Sequence, residues 1–317
     1  MPLRTAALPR MAGRLSFMRA PVVGLAELRP GMIAALGVPL DGCAPGAGLT
    51  RFGPTALRET SAYFGSHFSA NMQAAMDIDR RRVLQGGLMT GGLVDLGDLC
   101  LEGLAPPAAG AAIGSATAAV AARGALPLLL GGDAPLVTAA LAGLDTHAGH
   151  SGPGAGLALV QLGTRDCAAP DGVPAVRLGP AGARALAAAA LGGPPVRTDA
   201  AAAAAAGPSL AAGEAARALL ATTAQGRSLF VAFDLSALAA PWHGMNDRAG
   251  FDGLGLRELR RAVAALAALP LAGIAITGLD ATRSGLSTVK TGQRLILTAL
   301  LDLLYQRLLP PQAAAQP

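Results

Sequence analysis

Short, almost unbroken apolar runs recur along this chain, at residues 33–38, 93–96, 126–130, 157–162, 229–233 and 274–277. A strand with one face in water alternates apolar and polar residues, whereas a strand covered on both faces has no reason to alternate. Between the runs lie longer segments of helical spacing, at 55–64, 111–122, 134–142, 255–268 and 293–308. Strands and helices that take turns in this way build βαβ units around a parallel sheet. The expected fold is therefore α/β: a single three-layer αβα domain with a mostly parallel sheet.

Hydrophobic residues make up 52% of the 317 positions, ample for a large core, while charged residues are 14% and aromatics 3%. Soluble proteins carry about 25% charged residues, so this surface is poor in charge. Such a surface reads as one that a partner covers, and an oligomer is the expectation. The net charge of +5 comes from scattered arginines, Lys290 being the one lysine. A nucleic-acid binder needs a basic stripe interleaved with aromatics, and neither is present.

Cys43, Cys100 and Cys167 are far apart, odd in number and form no CxxC pair. That pattern supports neither a zinc ribbon nor a disulfide framework, and a reducing cytoplasm is the expected compartment. The first 25 residues carry Arg4, Arg10, Arg14 and Arg19 with no acidic residue. Without a compact apolar core or a cleavage pattern they read as a frayed arm. The uncharged run 103–122 is too weakly hydrophobic to cross a membrane and reads as a buried helix. Residues 183–222 are low in complexity and read as Ala-rich surface helices with no chemistry. No Ser-, Pro- or charge-rich linker separates two cores. The organisation expected is an arm at 1–30, one domain over 31–310 and a tail at 311–317.

Parallel sheets collect function in the loops that leave the carboxyl ends of their strands. Those ends, taken in order, carry GVPLDGCAPGAGLTRFGPTALRE (37–59), VDLGDL (94–99), LLLGGD (128–133), FDLSAL (233–238) and DGLGLRE (252–258). Together they resemble the ureohydrolase family of arginases and agmatinases: its GxPxD…PGxRxGPxxIR opening, its DxGD strand, its GGD strand, its SFDxDxxD segment and its GGLxxRE helix start. The resemblance runs from about Gly37 to the last helix. It implies an arginase-like fold and, in active members, two divalent metals that bridge a hydroxide. Guanidinium is a poor electrophile, and a metal-generated hydroxide supplies the nucleophile it needs.

The family's metal ligands are a GGDH histidine, a DAHxD triplet and a DxD pair. Carried over by position, the histidine falls on Ala134, next to Asp133. The triplet falls on Gly163, Arg165 and Cys167, with Asp166 one place out of register, and the pair falls on Asp234 and Ser236. Only Asp234 keeps a ligand. The family's two supporting glutamates fall on Gly250 and Gly278. Alanine and glycine bring no donor atom, and arginine keeps its proton. These positions form a vestigial pocket with no metal and no catalytic group of its own. Arg165 has two readings: a fixed cation that replaces the metals beside Asp234 or Asp166, or a plain surface arginine.

Other constellations carry less. Asp145, His147 and His150 have metal spacing, yet they follow the helix after the GGD turn and read as a solvated turn at the amino edge. Trp242, His243 and Asp247 lie in the loop after FDLSAL, with two readings, a subunit or ligand contact and ordinary loop packing. Ser284, Thr288 and Lys290 lack a positioned base, and Cys167 lacks a histidine. Arg51 or Arg58 is expected to tie the opening loop to an acidic neighbour.

The resemblance therefore implies a catalytically inactive ureohydrolase-like subunit. It would assemble with an active guanidino-hydrolysing homologue in a trimer or hexamer, as unlike subunits do in heteromeric relatives such as metformin hydrolase. The active partner would carry the two divalent metals, manganese or nickel. The alternatives are a binding or regulatory protein for a guanidino compound, and an agmatinase- or arginase-type hydrolase with a site rebuilt around Arg165 and Asp234.

Overall fold

In chain order the elements are β1 (Ile33–Gly37), α1 (Gly53–Ser61), β2 (Ala74–Asp77), β3 (Arg82–Gln85), β4 (Leu93–Asp98), α2 (Pro106–Ala122), β5 (Leu126–Leu130), α3 (Pro135–His147), β6 (Leu157–Leu162), β7 (Ala175–Leu178), β8 (Ser228–Asp234), α4 (Leu256–Ala267), β9 (Leu271–Thr277) and α5 (Ser287–Leu308). The structure, a computed structural model, describes residues 15–41, 50–62, 74–77, 82–85, 92–147, 156–163, 168–178, 226–238, 253–267, 269–279 and 287–308. Seven strands form one parallel sheet in the order β4-β1-β5-β9-β8-β6-β7, and β2 and β3 pair antiparallel on their own.

The apolar runs do not alternate because both faces of the sheet are covered. Leu128, Leu130, Val231, Phe233, Ile274 and Ile276 point into one core, which Leu57 of α1, Leu259 of α4 and Leu297 of α5 complete. Their neighbours Leu129, Phe230, Ala232 and Ala275 point into the other, against Ile113 of α2 and Leu136 of α3. Helices therefore lie on both sides, as a three-layer fold requires. The helix after β5 (α3) packs on one face and the helix after β9 (α5) on the other, although β5 and β9 are neighbours. Connections that part in this way leave a crevice beyond the carboxyl ends of the two strands.

Several expectations need correcting. Residues 16–20 are not frayed: Phe17 and Met18 are fully buried, the Phe17 N–H donates to Asp95 Oδ2 and the Met18 N–H to Ser61 Oγ. The helix that was to end near residue 142 runs on to His147, so Asp145 and His147 close a helix instead of forming a turn. Residue 150 lies outside the described residues. Only one stripe of α2 is buried, through Ala109, Ile113, Gly114, Thr117 and Val120. β9 begins three residues early, at Leu271, and β7 had no forecast. Residues 183–222 lie outside the described residues. Among the described residues no helix is long and apolar enough to cross a membrane.

Candidate functional site

The central strands end side by side. Leu130 of β5 is level with Ile276 of β9, Asp234 of β8 with Thr277 of β9, and Leu162 of β6 with Phe233 of β8. The residues that follow, Asp133, Gly163 and Gly278, therefore join Asp234 along one edge.

Gly131 and Gly132 make the turn after β5 with φ of 72° and 81°, a region that glycine enters without strain. The Gly131 N–H donates to Ile276 O at 2.9 Å, the Gly132 N–H to Thr50 O at 3.3 Å, and Gly132 O accepts the Gly278 N–H at 3.1 Å. A Cβ on Gly132 would lie 2.4 Å from Val38 O, so no larger residue fits this turn as it stands. The turn leads into Asp133, 2% exposed, just beyond the carboxyl end of β5. Its Oδ1 accepts the N–H of Ala134 at 2.9 Å, at the threshold of α3. Ala134 follows, half-buried, where the family places a histidine.

Asp234 ends β8 with 2% exposure, and its Oδ2 accepts the Thr277 hydroxyl at 3.1 Å. Gly278, the position of a family glutamate, has φ of 79°, and a Cβ there would lie 2.8 Å from Asp234 Oδ2. The Asp234 carboxylate thus fills the space that a side chain at 278 would need. Thr277 escaped the sequence reading; its signal was a hydroxyl at the end of an apolar run. Gly163 is buried at the end of β6. Ser236 lies in a short 3-10 turn, Leu235–Ala237. Arg165, Asp166, Cys167, Trp242, His243 and Asp247 lie outside the described residues.

The described ends of the opening segment, residues 38–41 and 50–52, lie against the turn after β5. Asp41 Oδ1 accepts the Thr50 hydroxyl and the Arg51 N–H, each at 2.7 Å, and Asp41 Oδ2 pairs with Arg51 Nε at 2.9 Å. The Arg51 guanidinium lies 5.5 Å from the Phe52 ring centre. The expected tie of arginine to acid is present, and it occurs twice, since Arg58 also pairs with Asp95 and Asp98. A separate groove of about 820 Å³ opens between α2 and α3 and reaches Ala134. Its described lining of Ala, Gly, Ser, Thr and Pro carries no ionisable group.

A two-metal cage needs several anionic or imidazole donors converging on two points. At the described positions Asp133 and Asp234 supply carboxylates, while Ala134 and Gly163 supply no side-chain donor. Among the described residues no three His, Cys, Asp or Glu side chains gather as a metal would need. By themselves these two described carboxylates are too few donors for a bridged pair of cations.

The fold is an arginase-like α/β fold with a parallel seven-stranded sheet. Residues 32–163 match the family model described as the arginase family. No curated protein matches the sequence. Among solved structures, formimidoylglutamase from Bacillus subtilis is 17% identical with a TM-score of 0.65, over 96% of both chains. A hypothetical agmatinase from Burkholderia thailandensis is 20% identical with a TM-score of 0.64, over 94% of this chain and 93% of that one. Formiminoglutamase from Trypanosoma cruzi, solved with manganese, is 16% identical with a TM-score of 0.57, over 88% of this chain and 94% of that one. At such identities the likeness speaks to fold.

Proposed function

We propose that this chain is a ureohydrolase-fold subunit that carries out no metal-dependent hydrolysis and assembles with a catalytic homologue, which it stabilises. The observation that carries the reading is the pair Ala134 and Gly163, set at the ends of β5 and β6 where the family keeps ligands. Asp234, the one ligand left in register, has its Oδ2 engaged by Thr277. The low-charge surface supports an assembled state. The manganese or nickel pair would belong to the homologue. Co-expression with a ureohydrolase encoded beside this chain tests the reading: the two should elute together, with guanidino-hydrolase activity present in the complex and absent from this chain alone. Separate elution would count against assembly, and turnover by the isolated chain against inactivity.

A second reading, a binding protein for a small guanidino compound, is favoured by the two carboxylates kept buried beyond the ends of β5 and β8, Asp133 and Asp234. A rise in melting temperature of the lone chain with such a compound would support it.

A further inference from the structure

The sheet ends at β4, whose one strand neighbour among the described residues is β1. An end strand offers unpaired N–H and C=O groups on its outer side, a template on which another chain can pair. Gly92 O accepts the Ile33 N–H of β1, so alternation along the ladder turns Leu93, Asp95 and Gly97 outward. Asp95 and Gly97 are nonetheless satisfied. The Asp95 N–H donates to Pro21 O at 2.9 Å and Asp95 O accepts the Val23 N–H at 3.0 Å, a parallel bridge to Val22. The Gly97 N–H donates to Asp95 Oδ1 at 2.8 Å, and Gly97 O accepts from Arg58 Nη2 at 3.0 Å.

The segment that covers β4 is held in a strained shape. Met18 and Arg19 have φ of 49° and 59°, the left-handed region that side chains disfavour. Such a conformation persists only where its surroundings fix it. Here they do: Phe17 and Met18 are fully buried in the core that holds Leu57 and Leu93, and Asp95 Oδ2 and Ser61 Oγ accept their N–H groups at 2.6 and 2.7 Å. The kink seats Phe17 and lets residues 21–23 run along β4. Pairing stops after one residue, because Gly24 leads into a 3-10 turn at Leu25–Glu27. On its far side this strap offers the N–H and C=O of Val22 beside Pro21, which has no N–H to give. An edge of six residues is thereby reduced to an edge of one.

We propose that residues 16–23 are a built-in cap that keeps the β4 edge from pairing with the β4 edge of a second copy. The same strand on another copy is the partner that a bare edge always finds, since two identical edges match antiparallel about a two-fold axis. The opposite end of the sheet needs less protection: β7 is four residues long and contains Arg177. Two different devices share the work on β4, a strap of main chain at Asp95 and the Arg58 guanidinium at Gly97. The inference goes beyond the assembly with a homologue and does not depend on it, because it concerns an edge that the chain closes by itself.

The test uses the full chain with Val23→Pro, which removes the donor to Asp95 O and leaves Phe17 and Met18 in place. Val22→Thr, on the exposed neighbouring side chain, is the control. Hydrogen exchange of the peptide spanning 93–98 should run roughly fivefold faster in dilute Val23→Pro than in the native chain, the factor for one backbone hydrogen bond. As Val23→Pro is concentrated, light scattering should show its particle mass at least double while exchange at 93–98 slows again. The native chain and Val22→Thr should show neither change. An edge that opens and stays unpaired, with faster exchange and a fixed mass, would overturn the proposal. So would exchange at 93–98 that does not quicken, since the strap would then not be what covers β4. Growth without renewed protection at 93–98 would overturn it too, because the copies would be meeting elsewhere. Should Val23→Pro lose its melting transition, a Gly-Gly insertion between Ala20 and Pro21, which loosens the pairing with Phe17 and Met18 still seated, takes the same readings.

Discussion

Arg58 and Asp95 meet inside the protein as a two-pronged pair, Nε to Oδ2 at 2.8 Å and Nη2 to Oδ1 at 3.0 Å. Their side chains are 6% and 1% exposed. Two further donors of the guanidinium go to Asp98 Oδ1 at 2.5 Å and to Gly97 O at 3.0 Å. Asp95 in turn accepts the Phe17 N–H at 2.6 Å and the Gly97 N–H at 2.8 Å. One arginine thus ties α1, the end of β4 and the N-terminal segment together. Gly37 leaves the room: a Cβ there would lie 1.7 Å from Asp98 Oδ1.

Removing one partner of such a pair leaves a buried, uncompensated charge. Asp95→Asn and Arg58→Leu should each lower unfolding stability by about 3–5 kcal/mol in urea titrations. Arg58→Lys should also destabilise, because an ammonium cannot span both oxygens. A loss too small to resolve would mean that the cluster does not hold the N-terminal segment in place.

The same cluster predicts how stability responds to alkali. Burial lowers the pKa of Arg58, but the hydrogen bonds and charges of Asp95 and Asp98 outweigh it and raise the value above that of free arginine. A cation with a raised folded pKa lends stability that is complete below its unfolded pKa and is lost only as pH climbs through the folded one. Arginine's ordinary value already lies well above the neutral range, so the contribution of Arg58 should be flat from neutral pH to about pH 10. Urea midpoints of the native chain and of Arg58→Leu should keep a constant separation across that range. A gap that closes between neutral pH and pH 10 would contradict this account of the pair.

The scaffold was legible in the sequence because it rests on burial. β5 and β6 fall where their apolar runs fall, since each run is covered on both faces. β9 was cut short at its start because Gly273 interrupts the run. That glycine is required by packing: a Cβ would lie 2.6 Å from the Phe230 ring on the neighbouring strand. β7, four residues with an arginine in the middle, is too short and too mixed to stand out. The positions of Asp133, Ala134, Gly163 and Asp234 were legible because each sits within a fixed distance of a recognisable strand. The Thr277 hydroxyl on Asp234 was not legible, since it depends on the register between β8 and β9, which no local pattern encodes.

Glycines at the helix–helix seam offer a sharp packing test. Gly143 of α3 approaches Gly114 of α2 so closely that a Cβ on Gly143 would lie 2.1 Å from Gly114 O. A backbone oxygen cannot step aside as a side chain can. Gly143→Ala should force the helices apart and cost about 1–3 kcal/mol, in spite of alanine's better helix propensity. Ala142→Ser, on the exposed neighbouring position, serves as the control and should change stability by less than about 0.5 kcal/mol. Equal melting temperatures for the two variants would refute the close approach.

Restoring the family's chemistry one residue at a time should fail first at Gly278. Its left-handed φ of 79° disfavours any side chain, by about 1–2 kcal/mol. The Asp234 carboxylate also stands 2.8 Å from where the Cβ would be. Gly278→Ala should therefore destabilise by more than the backbone term alone. In an Asp234→Ala background the steric part should disappear and the backbone part remain, a difference that a double-mutant cycle isolates. Gly278→Glu should be worse than Gly278→Ala, so reinstating the glutamate is no repair. If Gly278→Glu instead folded as stably as the native chain, the crevice would have room for the side chain that its present geometry refuses.

If the proposed division of labour holds, metal content should separate this chain from active ureohydrolases. A protein that binds an ion only in its folded state is stabilised in proportion to the logarithm of ion concentration over dissociation constant, so chelation lowers its melting temperature. With Ala134 and Gly163 in place of ligands, the isolated chain should hold well under one equivalent of manganese or nickel after incubation and desalting. Its melting temperature should not move with EDTA. In the complex with a homologue, metal should be present, and EDTA should abolish activity while leaving this chain's own melting transition unchanged. Two equivalents of manganese retained by the isolated chain, with a melting temperature that falls on chelation, would show that donors beyond Asp133 and Asp234 rebuild the cage, and the proposed division of labour would have to be abandoned.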